Sequence, residues 1–152
     1  MSDATTLGDA ILTRLHPEPY AEVVEAAGLD LLLLSRGRLG SYALAVLPWR
    51  EGAPAAAQVA GARAAVRAAT GAMWMFREYG AYLVFAGPEA SWRGKLDGAA
   101  ADRTGLHHVI VQGLHWIDPA TGATELKQSA WGPVKFGGVD SVAAVIEDLE
   151  VC

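Results

Sequence analysis

Four stretches of the chain carry apolar residues at the three- and four-residue spacing of an amphipathic helix. Two prolines interrupt the pattern soon after Leu15, because proline cannot continue a helix, and Gly28 and Gly71 follow the second and third stretches as stop signals. Asp140 stands where an N-cap residue would begin the fourth stretch. The pattern predicts helices over Leu7–Leu15, Tyr20–Ala27, Pro54–Thr70 and Asp140–Leu149.

Five other stretches have the composition of strands, and those that are apolar almost throughout are typical of interior strands covered on both faces. Two glycine-containing turns, Arg36–Gly40 and Asp118–Gly122, join the first strand to the second and the fourth to the fifth as hairpins. Met73–Phe76 fits either a helical turn or a strand. The predicted strands are Leu29–Leu34, Ser41–Leu47, Tyr82–Ala86, His107–Ile117 and Thr124–Trp131.

The order of these elements, ααββαβββα, predicts a single α+β domain in which helices pack on a mostly antiparallel sheet of about five strands. The domain is expected to span residues 7–152, after a flexible tail at residues 1–6. The same element order occurs in roadblock-type and profilin-like folds, which are commonly dimerisation modules, and the resemblance is one of topology only. The residues expected in the core are Leu32, Val46, Leu83, Phe85, Val111 and Ile146.

Composition places the chain among soluble cytoplasmic proteins. Of its 152 residues, 52% are apolar and 19% are charged, which excludes intrinsic disorder for most of the chain. The sequence shows no uncharged apolar run of membrane-spanning length and no secretory signal pattern. Cys152 is the single cysteine and cannot form an internal disulfide. Abundant alanine and arginine indicate a GC-rich composition of bacterial type.

The distribution of charge argues against broad nucleic-acid binding. The net charge is −5, whereas a nucleic-acid surface needs an excess of bases. Residues 36–103 are nonetheless basic, between acidic segments at both ends of the chain. The basic middle either forms a local face that attracts anions or interleaves with the acidic segments in the fold, so that the charges average out.

The strongest candidate for a catalytic site consists of Asp118, Glu125 and Lys127. An acid followed by Glu-x-Lys on the next strand resembles the way restriction-endonuclease-like folds hold a divalent metal, with the lysine polarising water or phosphate. Glu125 and Lys127 are two residues apart, so both project from one face of a strand. The competing interpretation is ordinary: an aspartate that caps a hairpin turn, followed by a solvated strand face.

Other catalytic and metal motifs are not visible in the sequence, so no cofactor and no metal are expected. His107, His108 and His115 lie on one predicted strand, where eight residues span about 26 Å, too far for ligands of one ion. Histidines that are hydrogen-bonded or at the surface are therefore expected. The chain has neither a Gly-x-Ser-x-Gly elbow nor a phosphate-binding loop signature.

Tryptophan is enriched, with five in the chain, most of them at predicted strand ends or in residues 88–105, the most loop-like segment. Large amphipathic rings at such places are typical of recognition surfaces, but they also plug the ends of a core beneath loops. A mobile excursion over residues 88–105 would be a natural place for function. The tryptophans expected to bind a partner are Trp49, Trp92, Trp116 and Trp131.

These observations predict a non-catalytic protein-interaction or dimerisation module, an adaptor or regulatory subunit that binds another protein or itself. A mean hydropathy of +0.22 indicates more apolar surface than one small sheet needs, and two-fold dimers commonly cover such surface. Thr124–Trp131 and Asp140–Leu149 are the preferred interface elements. The alternative is a small metal-dependent, nuclease-like hydrolase that uses Asp118, Glu125 and Lys127, and a ligand pocket lined by the tryptophans is a third hypothesis.

Overall fold

Six strands of the described residues form one sheet, in the order in which they follow one another along the chain. The structure is a computed structural model and describes residues 7, 10, 11, 21–37, 40–71, 79–100, 109–128, 135, 136, 140 and 141. The six strands are β1 (Ala21–Val23), β2 (Leu31–Gly37), β3 (Gly40–Pro48), β4 (Tyr79–Ala86), β5 (Val109–Ile117) and β6 (Thr124–Gln128). The helices are α1 (Ala55–Thr70) and α2 (Glu89–Trp92), and a separate hairpin consists of β7 (Lys135–Phe136) and β8 (Asp140–Ser141).

The sheet is mixed. Strands β1–β2, β2–β3 and β5–β6 pair antiparallel, whereas β3–β4 and β4–β5 pair parallel. Helix α1 connects β3 to β4 and returns the chain to the same end of the sheet, which is what makes that pair parallel. The predicted α+β domain with helices on a sheet is therefore confirmed at this level, and the centre of the sheet differs from an antiparallel one.

Both faces of the sheet are covered, which explains why its central strands are apolar at consecutive positions. One face, here called the α1 face, packs against α1, and the opposite face packs against helical residues Leu7 and Ile11. All eight residues of β4 are buried. The expected core residues Leu32, Val46, Leu83, Phe85 and Val111 are each no more than 1% exposed, so that prediction is confirmed for them, and Ile146 lies outside the described residues.

Helix α1 matches its prediction. It begins after Pro54 and ends at Gly71, whose φ of 65° is the left-handed conformation that closes many helices. Its buried stripe includes Ala62 and Val66 on the α1 face. Small side chains there allow the helix to lie close to the sheet. No helix within the described ranges is long and apolar enough to cross a membrane.

Two predicted helices differ from the structure where it describes them. Ala21–Val23, inside the predicted helix Tyr20–Ala27, is strand β1 and pairs with β2, so tertiary pairing overrides a helical apolar spacing that is only two turns long. Asp140, predicted to cap a final helix, instead lies in β8. Residues 142–149 of that helix and Met73–Phe76 lie outside the described residues.

Candidate functional site

An aromatic cluster fills the sheet at the carboxyl ends of its parallel strands, the place where open α/β sheets commonly bind ligands. Trp116 of β5 stacks on Phe85 of β4, with ring centroids 5.6 Å apart and planes at 17°. The ring of Trp49, just beyond β3, is nearly perpendicular to both, with its centroid 5.4 Å from that of Phe85 and 6.1 Å from that of Trp116. The three rings occupy the space that a ligand would need, so this edge is packed rather than open.

The tryptophans are hydrogen-bonded to the main chain of residues 87–100, which contain α2 and are here called the α2 segment. The Trp49 Nε1–H donates to the Ser91 carbonyl at 2.9 Å, and the Trp92 Nε1–H donates to the Gly87 carbonyl at 3.0 Å. A Cβ on Gly87 would lie 3.2 Å from the Cβ of Trp49, so glycine suits this close approach. These contacts anchor residues 88–100, the described part of the predicted mobile excursion, to the core.

The partner-binding role predicted for these tryptophans is therefore corrected. Trp92 and Trp116 are 0% exposed and Trp49 is 8% exposed, so they have almost no surface to offer a partner. The sequence left open whether the tryptophans form a recognition surface or fill the end of the core beneath loops. The structure shows the second arrangement for these three. Trp131 lies outside the described residues.

Asp118 holds two pieces of main chain together. Its Oδ2 accepts the Glu89 N–H at 3.0 Å, at the start of α2, and its Oδ1 accepts the Ala120 N–H at 2.9 Å, inside the β5–β6 turn. The hydrogen bond from Glu89 is the main cause that lowers the pKa of the Asp118 carboxyl, and the Ala120 N–H adds to it against the opposing effect of burial. Asp118 thus acts as a cap for α2 and for the hairpin turn.

Glu125 and Lys127 share the α1 face of β6, but each is engaged within the chain. Glu125 Oε1 lies 3.1 Å from Arg93 Nη1, in a partly exposed ion pair. Lys127 Nζ donates to the carbonyls of Leu96 and Ala99, at 2.9 and 2.8 Å. These contacts attach residues 93–99 to the edge of the sheet, which is a structural use of both charges.

The contacts of the three predicted catalytic residues differ from those of a metal-dependent hydrolase. Such a site needs its two carboxylates on one ion and a free ammonium group beside them. Asp118 instead binds main-chain N–H groups, Glu125 binds a guanidinium, and Lys127 binds carbonyls. Among the described residues, no group of three or more His, Cys, Asp or Glu side chains could hold a metal ion.

Replacing Asp118 with alanine is expected to lower the free energy of unfolding by about 1–2 kcal/mol, the usual cost of losing a helix cap. The reason is that the Glu89 and Ala120 N–H groups lose their acceptors. Chemical denaturation followed by circular dichroism measures the loss. Asp97→Ala, at an exposed aspartate of the same segment, is the control and should change stability by less than about 0.5 kcal/mol. Equal stability of the two variants would contradict the capping role.

A buried histidine lies on the opposite face of the sheet. His115 Nδ1 lies 2.8 Å from the hydroxyl of Tyr82, and a Cβ on Gly113 would come within 2.5 Å of the Tyr82 ring, so glycine lets that ring cross β5. His115 is 0% exposed, and burial lowers its pKa from 6.5 to about 4. Its Nε2 is buried without a hydrogen-bond partner. His107 and His108 lie outside the described residues.

Strand β6 forms an edge of the sheet, since among the described strands it pairs with β5 alone. The Asp118 N–H donates to the Ala123 carbonyl at 2.9 Å, so these two residues beside the turn form a hydrogen-bonded pair. Because hydrogen-bonded and non-hydrogen-bonded pairs alternate, Glu125 and Lys127 bond to β5, whereas Thr124 and Leu126 direct their N–H and C=O groups away from it. This outward side of β6 is called the β6 edge below.

Two features of the described residues lie outside the packed core: the β6 edge, which has no second partner strand among them, and a groove beside α1. The aromatic cluster lies in the core between the sheet and the α2 segment, and the Tyr82–His115 pair is enclosed on the other face. Compared with protein-family models, curated proteins and solved structures, the chain matches none of them.

Proposed function

We propose that this domain is a non-catalytic protein-interaction module, which serves as a cytoplasmic adaptor or regulatory subunit and dimerises through the β6 edge. The observation that supports the proposal is the row of outward main-chain groups on Thr124–Gln128. An exposed edge strand is a template on which another strand can add, and main-chain hydrogen bonds then supply the affinity.

The features that normally protect an edge strand are weak on β6. Proteins blunt such edges with free charges, prolines or bulges. Thr124–Gln128 contains no proline, and its register with β5 is continuous. Its two charged side chains, Glu125 and Lys127, are bound to groups of this chain. By contrast, the other edge strand, β1, is only three residues long.

A second copy of the chain is the partner that best fits this edge. Two β6 edges related by a two-fold axis can pair antiparallel and join both sheets into one, which is a closed arrangement. Leu126 is half-buried against the core of the opposite face, so the strand is packed and presents a fixed edge. The predicted roadblock- or profilin-like topology and an interface contribution from Asp140–Leu149 belong to this proposal as expectations.

The test compares two substitutions of Leu126, of which one removes the outward N–H and the other keeps it. Leu126→Pro removes an outward N–H that makes no bond to β5, and edge strands tolerate proline there. Leu126→Ala loses more of the side chain than Leu126→Pro but keeps the N–H, so it controls for the lost packing. Size exclusion with light scattering should show a dimer, twice 16.0 kDa, for the wild type and for Leu126→Ala, and a monomer for Leu126→Pro.

Two results would contradict the proposal. One is a wild-type chain that stays a 16.0 kDa monomer, free of aggregates, at tens of micromolar. The other is a dimer that survives Leu126→Pro unchanged, because its interface would then lie elsewhere. Circular dichroism of both variants checks that the sheet is retained.

A further inference from the structure

A groove of about 300 Å³ lies at the side of the sheet remote from β6. Its walls are helix α1, the end of β3 and the turn that precedes β2. Small and apolar residues dominate its lining, among them Gly28, Leu29, Leu47, Pro48, Ala57 and Gly61. This volume is at the lower end of the range for small-molecule sites, and its lining has the apolar character that such sites share.

Gly61 keeps the groove open at a cost to the helix. It lies in the middle of α1, where glycine is the poorest helix former after proline. Gly61 is exposed, and a Cβ at this position would meet nothing within 4 Å. Packing among the described residues therefore gives no reason for glycine here. Its effect is to leave the α1 wall of the groove bare along the Ala57–Ala65 stripe.

Arg50 places a positive charge at the groove. Its main chain is fixed by Gln58, whose Oε1 accepts the Arg50 N–H at 2.9 Å and whose Nε2 donates to the Arg50 carbonyl at 2.8 Å. Arg50 lines the groove, and its exposed side chain makes no ion pair with any described residue. A held backbone and an exposed guanidinium make it an available anchor for an anion.

Among the described residues that line the groove, Arg50 is accompanied by no acid, and Asp30 and Glu51, which adjoin lining residues in the sequence, do not line it. The first turn of α1 also carries no acidic residue, and its main-chain N–H groups are the positive end of the helix. The charge that complements this groove is negative, and the shape that complements its lining is a short apolar body.

We propose that the groove binds a small amphiphilic carboxylate. The carboxylate pairs with Arg50, and guanidinium–carboxylate geometry allows two parallel hydrogen bonds. The apolar body lies along Ala57, Gly61 and Ala65, where the missing side chain at Gly61 makes room for it. The site is independent of the β6 edge.

Octanoate is the probe, and 1-octanol is its neutral counterpart of equal length. Titration calorimetry on the full chain should show saturable octanoate binding at millimolar or lower concentration, and weaker binding of octanol. Arg50→Gln is expected to weaken octanoate at least tenfold and to leave octanol unchanged. Arg67→Gln, an exposed arginine of α1 that does not line the groove, is the matched control and should bind octanoate as the wild type does.

Gly61→Leu tests the groove itself. Leucine fills open space and is a far better helix former, so the variant should keep or raise its Tm while it loses octanoate binding. If Gly61→Leu does not fold, Ala57→Leu, at another exposed residue of the groove, tests octanoate binding in the same way. Absence of saturable binding by the wild type, or full binding by both folded leucine variants, overturns the site. Equal affinity for octanoate and octanol overturns the role of Arg50.

Discussion

Phe85→Ala is expected to lower the free energy of unfolding by about 3–5 kcal/mol, a large part of the 5–15 kcal/mol that stabilises a typical domain. Phe85 is 0% exposed in β4, which lies between two parallel neighbours in the middle of the sheet. Its ring stacks on Trp116 and packs nearly perpendicular to Trp49, so truncation opens a cavity among large, rigid side chains. Urea denaturation followed by circular dichroism and by tryptophan fluorescence measures the loss.

Val23→Ala provides the comparison. Val23 lies on the edge strand β1 and is 56% exposed, so its truncation should cost less than about 0.5 kcal/mol. Fluorescence adds a local readout, because the Phe85 cavity adjoins the indoles of Trp49 and Trp116 whereas Val23 does not take part in that cluster. A loss below about 1 kcal/mol for Phe85→Ala would contradict the central position of β4.

Acidification from pH 6.5 to 4 is expected to remove about 3 kcal/mol of stability through His115 alone. The imidazole has an ordinary pKa of 6.5 and a pKa of about 4 when buried in the folded chain. Between these values only the unfolded chain binds the proton, so the free energy of unfolding falls as the pH falls. Above 6.5 neither state carries the proton, and below about 4 both do, so the loss from His115 levels off at both ends.

His115→Gln isolates this contribution. The variant is less stable at neutral pH because it changes a buried side chain beside Tyr82, but it has no imidazole to titrate. Its stability should therefore depend less on pH between 4 and 6.5, by about one proton in the slope. Asp118 does not contribute to this pH dependence. The pKa of its carboxyl is lowered from 3.8, so the stability that it provides is present above pH 3.8 and is lost only as the pH falls below that value. Parallel pH profiles of wild type and variant would contradict a buried, neutral His115.

Local patterns in the sequence predicted the parts of this fold that are encoded within a few neighbouring residues. Unbroken apolar runs predicted β2, β3 and β4, since strands covered on both faces need apolar residues at every position. Pro54 and Gly71 predicted the ends of α1 from backbone geometry alone. Five expected core residues followed from the same patterns, because apolar periodicity depends on the element and not on its partners.

Contacts between distant parts of the chain decided the rest. Ala21–Val23 is a strand because it pairs with the edge of β2. The apolar spacing of these residues is helical and gives no information about that partner. Lys127 and Glu125 alternate on a strand as the sequence predicted, but their use follows from carbonyls 28 and 31 residues from Lys127 and from Arg93, 32 residues from Glu125. Burial of the tryptophans likewise depends on how the α2 segment folds back over the sheet. Composition and periodicity determined the interior strands and helix α1, whereas the tertiary structure determined the type of the edge element Ala21–Val23 and which side chains meet, because pairing and burial depend on residues far apart in the sequence.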